Sequence, residues 1–238
     1  MQVGMNIIQR NFLRLLRAGA FSVKAPLEPM SGWKWQQLYK LSQQHGVTPW
    51  VADGITLLAD DFFLQLSPTL RQQFAEDTTD RIEEYGHLAL SNPVLNSKLQ
   101  EIAQKAGKDD LTYELLQNIV AIARTMLSSG ASLRELITLG TYLRNTHDPI
   151  DYDQLQQWIA SLGMQHMARL EAGLLVELFN FSPDEILFAK AHVGKSVRRL
   201  VSDLFLRKRR IRYIVYFPRE AVINYATNLY HNLRNIEE

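Results

Sequence analysis

Three short stretches carry residue types that could do chemistry. Asp151-Tyr152-Asp153 is the only Asp-x-Asp of the chain. On a strand, alternation would bring both carboxylates to one side, where they could hold a divalent metal. Leu155, Trp158, Ile159 and Leu162 follow at helical spacing instead. Acids in a first helical turn cap free N–H groups and complement the macrodipole, so the pair reads as a helix start and no metal is assigned to it. Ala189-Lys190-Ala191-His192-Val193-Gly194-Lys195-Ser196 has the outline of a phosphate-binding loop with Ala in the place of the first Gly. Ile186-Leu187-Phe188 is too short for the buried strand that should precede such a loop, and no βαβ pattern or second acidic motif follows. That stretch is therefore expected to be a helix–helix turn with Gly194 as its C-cap.

The third stretch joins charge to aromatic rings. Arg207-Lys208-Arg209-Arg210 and Arg212 stand beside Tyr213, Tyr216 and Phe217, the pairing that tracks a phosphodiester backbone and stacks bases. With Lys195, Arg198 and Arg199 these cations make up the candidate polyanion-binding site. The window 190–219 holds ten basic residues against one acid, Asp203, a net +9 that leaves −8 for the rest of a chain of formal charge +1. Such segregation points to an anionic partner, to a match with acids elsewhere in the chain, or to a solvated helix face. A smaller basic zone, Arg10, Arg14, Arg17 and Lys24, precedes the first acid, Glu28.

Other chemistries are excluded or left without a carrier. With no cysteine there is no disulfide framework, thiolate zinc site or cysteine nucleophile. The 6 histidines include no H-E-x-x-H and no i, i+4 pair. His87 and His166 fall in helical stretches beside apolar residues and read as structural groups. Trp33, Trp35, Trp50 and Trp158 sit at helical spacing and are expected in the core. No apolar run is long enough to span a bilayer, and the first residues lack the apolar stretch of a signal peptide, so a cytoplasmic location is expected.

The elements that must position these residues are helical almost throughout. Ile7, Ile8, Phe12, Leu15 and Leu16 mark a first helix that Gly19 is expected to end, and a loop over 20–32 leads to a second helix at about 33–45 with Gly46 beyond its C-cap. A third covers about 49–58. Ser67-Pro68 starts a long helix running toward Tyr85 and onward to Ala106, with a break at Asn92-Pro93. After Gly107–Asp110 the pattern restarts. Leu115, Ile119, Ile122 and Met126 form one stripe; Ser132 with Glu135, and Ser182 with Glu185, fit capping boxes. Gly163 closes a helix that starts near Asp151. Pro218 opens a final helix with Val222, Ile223, Leu229 and Leu233 on one side. Only Ile211–Phe217 has a strand-like make-up, and a lone strand has no pairing partner. The expectation is an all-α, multi-helix array in two packed subdomains, an N-terminal block 1–108 and a C-terminal block 109–238.

Several segments together resemble a bacterial family of uncharacterised nucleotidyltransferases, kin of the polymerase-β-type enzymes. They are Leu15-Leu16-Arg17-Ala18-Gly19, Trp35-x-x-Leu38-Tyr39-x-Leu41, His45-Gly46-Val47 and Val51-Ala52-Asp53-Gly54-Ile55. Arg124 to Leu136, Ile150-Asp151-Tyr152 with Leu162-Gly163-Met164, and Tyr213 to Glu220 extend the likeness over nearly the whole chain. The resemblance implies a catalytic palm between the helical blocks, with a glycine-rich turn and a strand bearing paired aspartates. Here residues 82–106 read as helix and only Gly107–Asp110 separate them from the second block, which leaves no room for a palm. Nucleotidyl transfer needs carboxylates that hold Mg²⁺ on the triphosphate. No catalytic residue and no cofactor are therefore carried over.

The expected function is that of a non-catalytic helical interaction or accessory protein, similar to a nucleotidyltransferase without its palm, whose partner is a protein or a polyanion. Two alternatives stay open: the helical subunit of a split nucleotidyltransferase, and a nucleic-acid-binding protein acting through 190–219.

Overall fold

The computed structural model describes residues 5–76, 88–107, 110–128, 130–146, 150–206 and 215–234. All of its regular structure is helical: among the described residues there are eleven α-helices, one 3₁₀ turn and no strand. The helices fall into two units, residues 1–84 and 85–238. The parting lies at 84/85, so the helix over 93–106, grouped by sequence with the N-terminal block, belongs to the second unit.

The first unit contains α1 (Ile7–Phe21), α2 (Gly32–Gln44), α3 (Thr48–Leu57) and α4 (Pro68–Glu76). Asn6 caps α1 through a reciprocal pair of bonds with Gln9, each 3.0 Å, which satisfies two donors that a helix start leaves open. Gly19 does not end this helix. The chain turns out at Ser22, which takes the left-handed conformation at φ 57°, and Gly19 instead marks the place where α1 meets α3. A Cβ there would lie 1.8 Å from the Trp50 carbonyl oxygen, and one on Gly54 would lie 2.0 Å from that of Leu15. Two glycines let the backbones touch, and Leu13, Leu15, Leu16, Val51 and Ile55 close the core around them. Trp35 and Trp50 are buried as expected. Trp33 is not: on the first turn of α2 it is 63% exposed.

Two of the N-terminal cations, Arg10 and Arg14, share one acid within this unit. Glu28 receives Arg10 and Arg14 at 2.6 and 2.8 Å, and the Arg10 hydrogen bond, ahead of charge attraction, holds its carboxyl below the usual range. The buried Asn11 fixes the Glu28 backbone by accepting its N–H and donating to its carbonyl.

The second unit contains α5 (Pro93–Ala106), α6 (Leu111–Ser128), α7 (Leu133–Asn145), α8 (Tyr152–Ser161), α9 (Gln165–Phe179), α10 (Lys195–Leu206) and α11 (Pro218–Arg234), with the 3₁₀ turn at Pro183–Glu185. Helix α6 packs against α5, α7, α8, α9 and α11. Leu115, Leu116, Ile119, Val120 and Ile122 are accordingly buried, as a helix with neighbours on several sides requires. Only residues 107–110 join α5 to α6, a connection too short to hold a sheet. Of the long helix expected after Pro68 the described part is α4, as far as Glu76, and the next described helix begins at Pro93 with Asn92 as its cap, accepting the Val94 N–H at 3.0 Å. Residues 77–87, including His87, lie outside the described residues.

Of the two expected capping boxes, that of Ser182 with Glu185 forms and that of Ser132 with Glu135 does not. Ser132 occupies the N-cap of α7 but its side chain makes no capping bond, and Glu135 is buried instead of reaching back. Glu185 does accept the Ser182 N–H at 2.7 Å, yet it closes only the short 3₁₀ turn. That carboxylate also binds Arg144 at 2.8 Å, and those bonds outweigh the burial that would raise its pKa, leaving it lowered. On α11 Val222 faces outward at 61% exposure, against the expected apolar stripe.

Candidate anion-binding face

Helix α10 lies on α9, where Gly173 has room for it: a Cβ there would come within 2.6 Å of the Val197 side chain. Val197, Leu200, Val201 and Leu204 form the buried face of α10. The helical period then sends Lys195, Arg198, Arg199 and Ser202 outward together, and all four are exposed. Asp203, the one acid of the basic window, is buried. Among the described residues Lys195, Arg198 and Arg199 make no ion pair. All three stand in the first turn and a half of α10, where the helix dipole is positive and cations lower stability. The structure thus brings three of the sequence-derived site residues onto one face. Arg207, Lys208, Arg209, Arg210 and Arg212, with Tyr213, lie outside the described residues.

The loop before α10 differs from the expected turn. Gly194 does not cap a preceding helix; its carbonyl accepts the Arg198 N–H at 3.2 Å and so opens α10. Lys195 and Ser196 therefore start a helix after a loop, but α9 and the 3₁₀ turn, not a strand, precede that loop. Asp151 is the N-cap of α8 and accepts the Gln154 N–H at 2.8 Å, while Asp153 occupies the first turn. Their carboxylates thus serve the helix start. His166 is exposed on α9, not packed as a structural group, and Trp158 is half-buried. Among the described residues there is no cluster of three or more metal-ligating side chains.

Three features escaped the sequence. A groove of about 840 Å³ lies between α8, the start of α9 and the segment 183–191, with Arg169 and Lys190 as its only charged lining residues. The buried Glu220, on the first turn of α11, receives the Ser91 and Asn92 backbone N–H groups, the latter at 2.9 Å, and so ties α11 to the start of α5. Glu171 in α9 is fully buried, neither carboxylate oxygen has a hydrogen-bond partner, and desolvation pushes its pKa well up. Isolated acids in apolar helices are the only sequence signal for the last two, and nothing in one dimension shows which carboxyl meets backbone donors.

No helix among the described residues is long and apolar enough to cross a membrane. Compared with protein-family models, curated proteins and solved structures, the chain matches none of them.

Proposed function

We propose that this chain is a non-catalytic helical interaction protein that meets an anionic partner through the exposed face of α10. One observation carries the reading. Arg10 and Arg14 near the N-terminus have an internal counter-ion in Glu28, whereas Lys195, Arg198 and Arg199 share one exposed face with none among the described residues. Like charges gathered against a helix dipole lower stability, and a polyanion supplies the missing counter-charge. The N-capping role of Asp151 supports the non-catalytic half, because its carboxylate already serves the helix start.

Single-stranded DNA titrated at several salt concentrations tests this. Each neutralised phosphate contributes a log–log slope of about −0.7, so reversing Lys195, Arg198 and Arg199 to Glu should flatten the slope by about 2. Affinity should fall alike for all sequences, since backbone contacts carry no sequence information. Undetectable binding at low salt, or a slope unchanged by the reversals, overturns the anionic-partner half. Nucleoside triphosphate turnover with Mg²⁺ that Asp151→Ala and Asp153→Ala abolish overturns the non-catalytic half.

A further inference from the structure

Helices α8 and α9 each give one face to the groove. Gln156, Ile159 and Ala160 on α8, and Gln165, Ala168 and Arg169 on α9, stand at i, i+3 and i+4, the spacing of residues that share a face. The segment 183–191 supplies the rest of the lining. The short side chains of Ala160 and Ala168 leave space there that longer ones would fill. The segment is tied down, so the groove is formed before any ligand arrives. Glu185 binds Arg144 at 2.8 Å, and Gln156 donates to the Leu187 carbonyl at 3.3 Å. Ile186 and Phe188 are buried, and beyond them the Gly194 N–H turns back to the His192 carbonyl at 3.0 Å. Small-molecule sites are largely pre-formed, at about 300–1,000 Å³, and a groove of about 840 Å³ lies within that range.

The lining selects a chemistry. Ile159, Ile186 and Leu187 are aliphatic, and Leu187 is 52% exposed, so covering it with an apolar group is favourable. Phe188, the only aromatic lining residue, is 2% exposed and offers no ring face to a base or another ring. Arg169 and Lys190 are both exposed, and neither makes an ion pair among the described residues. No acid lines the groove. It therefore joins aliphatic walls to positive charge that has no counter-ion within it.

We propose that the groove binds an aliphatic carboxylate, the anion of a medium-chain fatty acid, as a single molecule. Its tail covers Ile159, Ile186 and Leu187, and its carboxylate is held by Arg169 and Lys190. Burial of the tail supplies affinity, and charge-assisted hydrogen bonds place the head. The inference goes beyond the reading of α10 and uses none of Lys195, Arg198 and Arg199.

The probe is decanoate, titrated calorimetrically into the full chain below its micelle-forming concentration. Its comparators are octanoate, which has the same head on a shorter tail, and decyltrimethylammonium, which has a cationic head. Decanoate should bind, and each methylene beyond octanoate should tighten binding by up to about fourfold. The cationic ligand should bind about tenfold more weakly or worse, as for mismatched charge at a binding surface. Arg169→Glu with Lys190→Glu should reverse that order. Both residues are exposed, so thermal stability should not change. Ala160→Trp, which fills the groove from an exposed position, should block both ligands. The triple reversal on α10 should leave decanoate affinity unchanged while abolishing DNA binding. No binding at about 1 mM decanoate overturns the inference. So does an order of the two decyl ligands that the reversal at Arg169 and Lys190 leaves unchanged, or decanoate binding that survives Ala160→Trp. Binding to phosphatidylglycerol vesicles without binding of monomeric decanoate overturns it in favour of a membrane surface. Decanoate lost only on reversal of Lys195, Arg198 and Arg199 overturns it too, and leaves the α10 reading standing.

Discussion

Replacing Gly19 by alanine sets two effects of opposite sign against each other. Alanine is the better helix former by about 1 kcal/mol, and Gly19 lies within α1, so propensity alone predicts a gain. The added Cβ, however, would sit 1.8 Å from the Trp50 carbonyl oxygen and 2.7 Å from the Gly54 nitrogen. Both are backbone atoms, so no side-chain rotation relieves them. Ordinary contact begins at about 3.4 Å, and α3 would have to retreat by more than an ångström. That retreat loosens Leu15, Leu16, Val51 and Ile55, all buried beside the crossing, where even a small radial gap forfeits much of the dispersion energy. Overpacking of a tight core typically costs about 1–3 kcal/mol and occasionally more. A 1.8 Å approach belongs at the upper end of that range, about 3 kcal/mol, so the clash should win with a net loss of about 2 kcal/mol. Gly54→Ala meets the Leu15 carbonyl at 2.0 Å and should behave likewise. The double variant should lose less than the sum, because helices already parted by one methyl admit the second. Urea unfolding followed by circular dichroism measures all three. A stabilised Gly19→Ala, or strictly additive losses, would refute the backbone-contact reasoning.

Two further outcomes follow from buried carboxyls. The Glu171 pKa is raised in the folded chain by desolvation; above its ordinary value of 4.5 the unfolded state releases a proton that the folded state keeps, so this group's contribution falls as pH rises. Relative to wild type, Glu171→Leu should gain about 1.4 kcal/mol per pH unit from pH 5 upward, until the folded carboxyl ionises; a difference independent of pH would contradict it. Glu220 accepts two adjacent backbone N–H groups while buried, and Glu220→Gln leaves one acceptor and turns an NH₂ onto the other donor. Charged hydrogen bonds are worth about 1.5–3 kcal/mol, so a loss of about 2 kcal/mol is expected in urea unfolding, and a change within about 0.5 kcal/mol would argue against the clamp.

How much was legible in the residues differs from element to element. The all-α architecture was, because apolar spacing is a local property: the stripe Leu115, Ile119, Ile122 and Met126 is buried as its period requires, and Asn92-Pro93, expected as a break, is where α5 starts. The outward face of α10 follows from the same period, with Lys195, Arg198 and Arg199 opposite Val197, Leu200 and Val201. Signals that looked local but depended on a neighbour misled. Gly19 has the composition of a terminator, yet its role belongs to α3, far along the chain. Glu135 stands three residues after Ser132, as a capping box asks, but packing draws it into the interior. Trp33 shares the helical spacing of Trp35, but on the first turn of α2 it stays largely exposed. Only the tertiary structure could decide the groove, because Arg169 on α9 and Lys190 before α10 reach it from separate segments, and a one-dimensional pattern records period and charge but not which surfaces fail to meet.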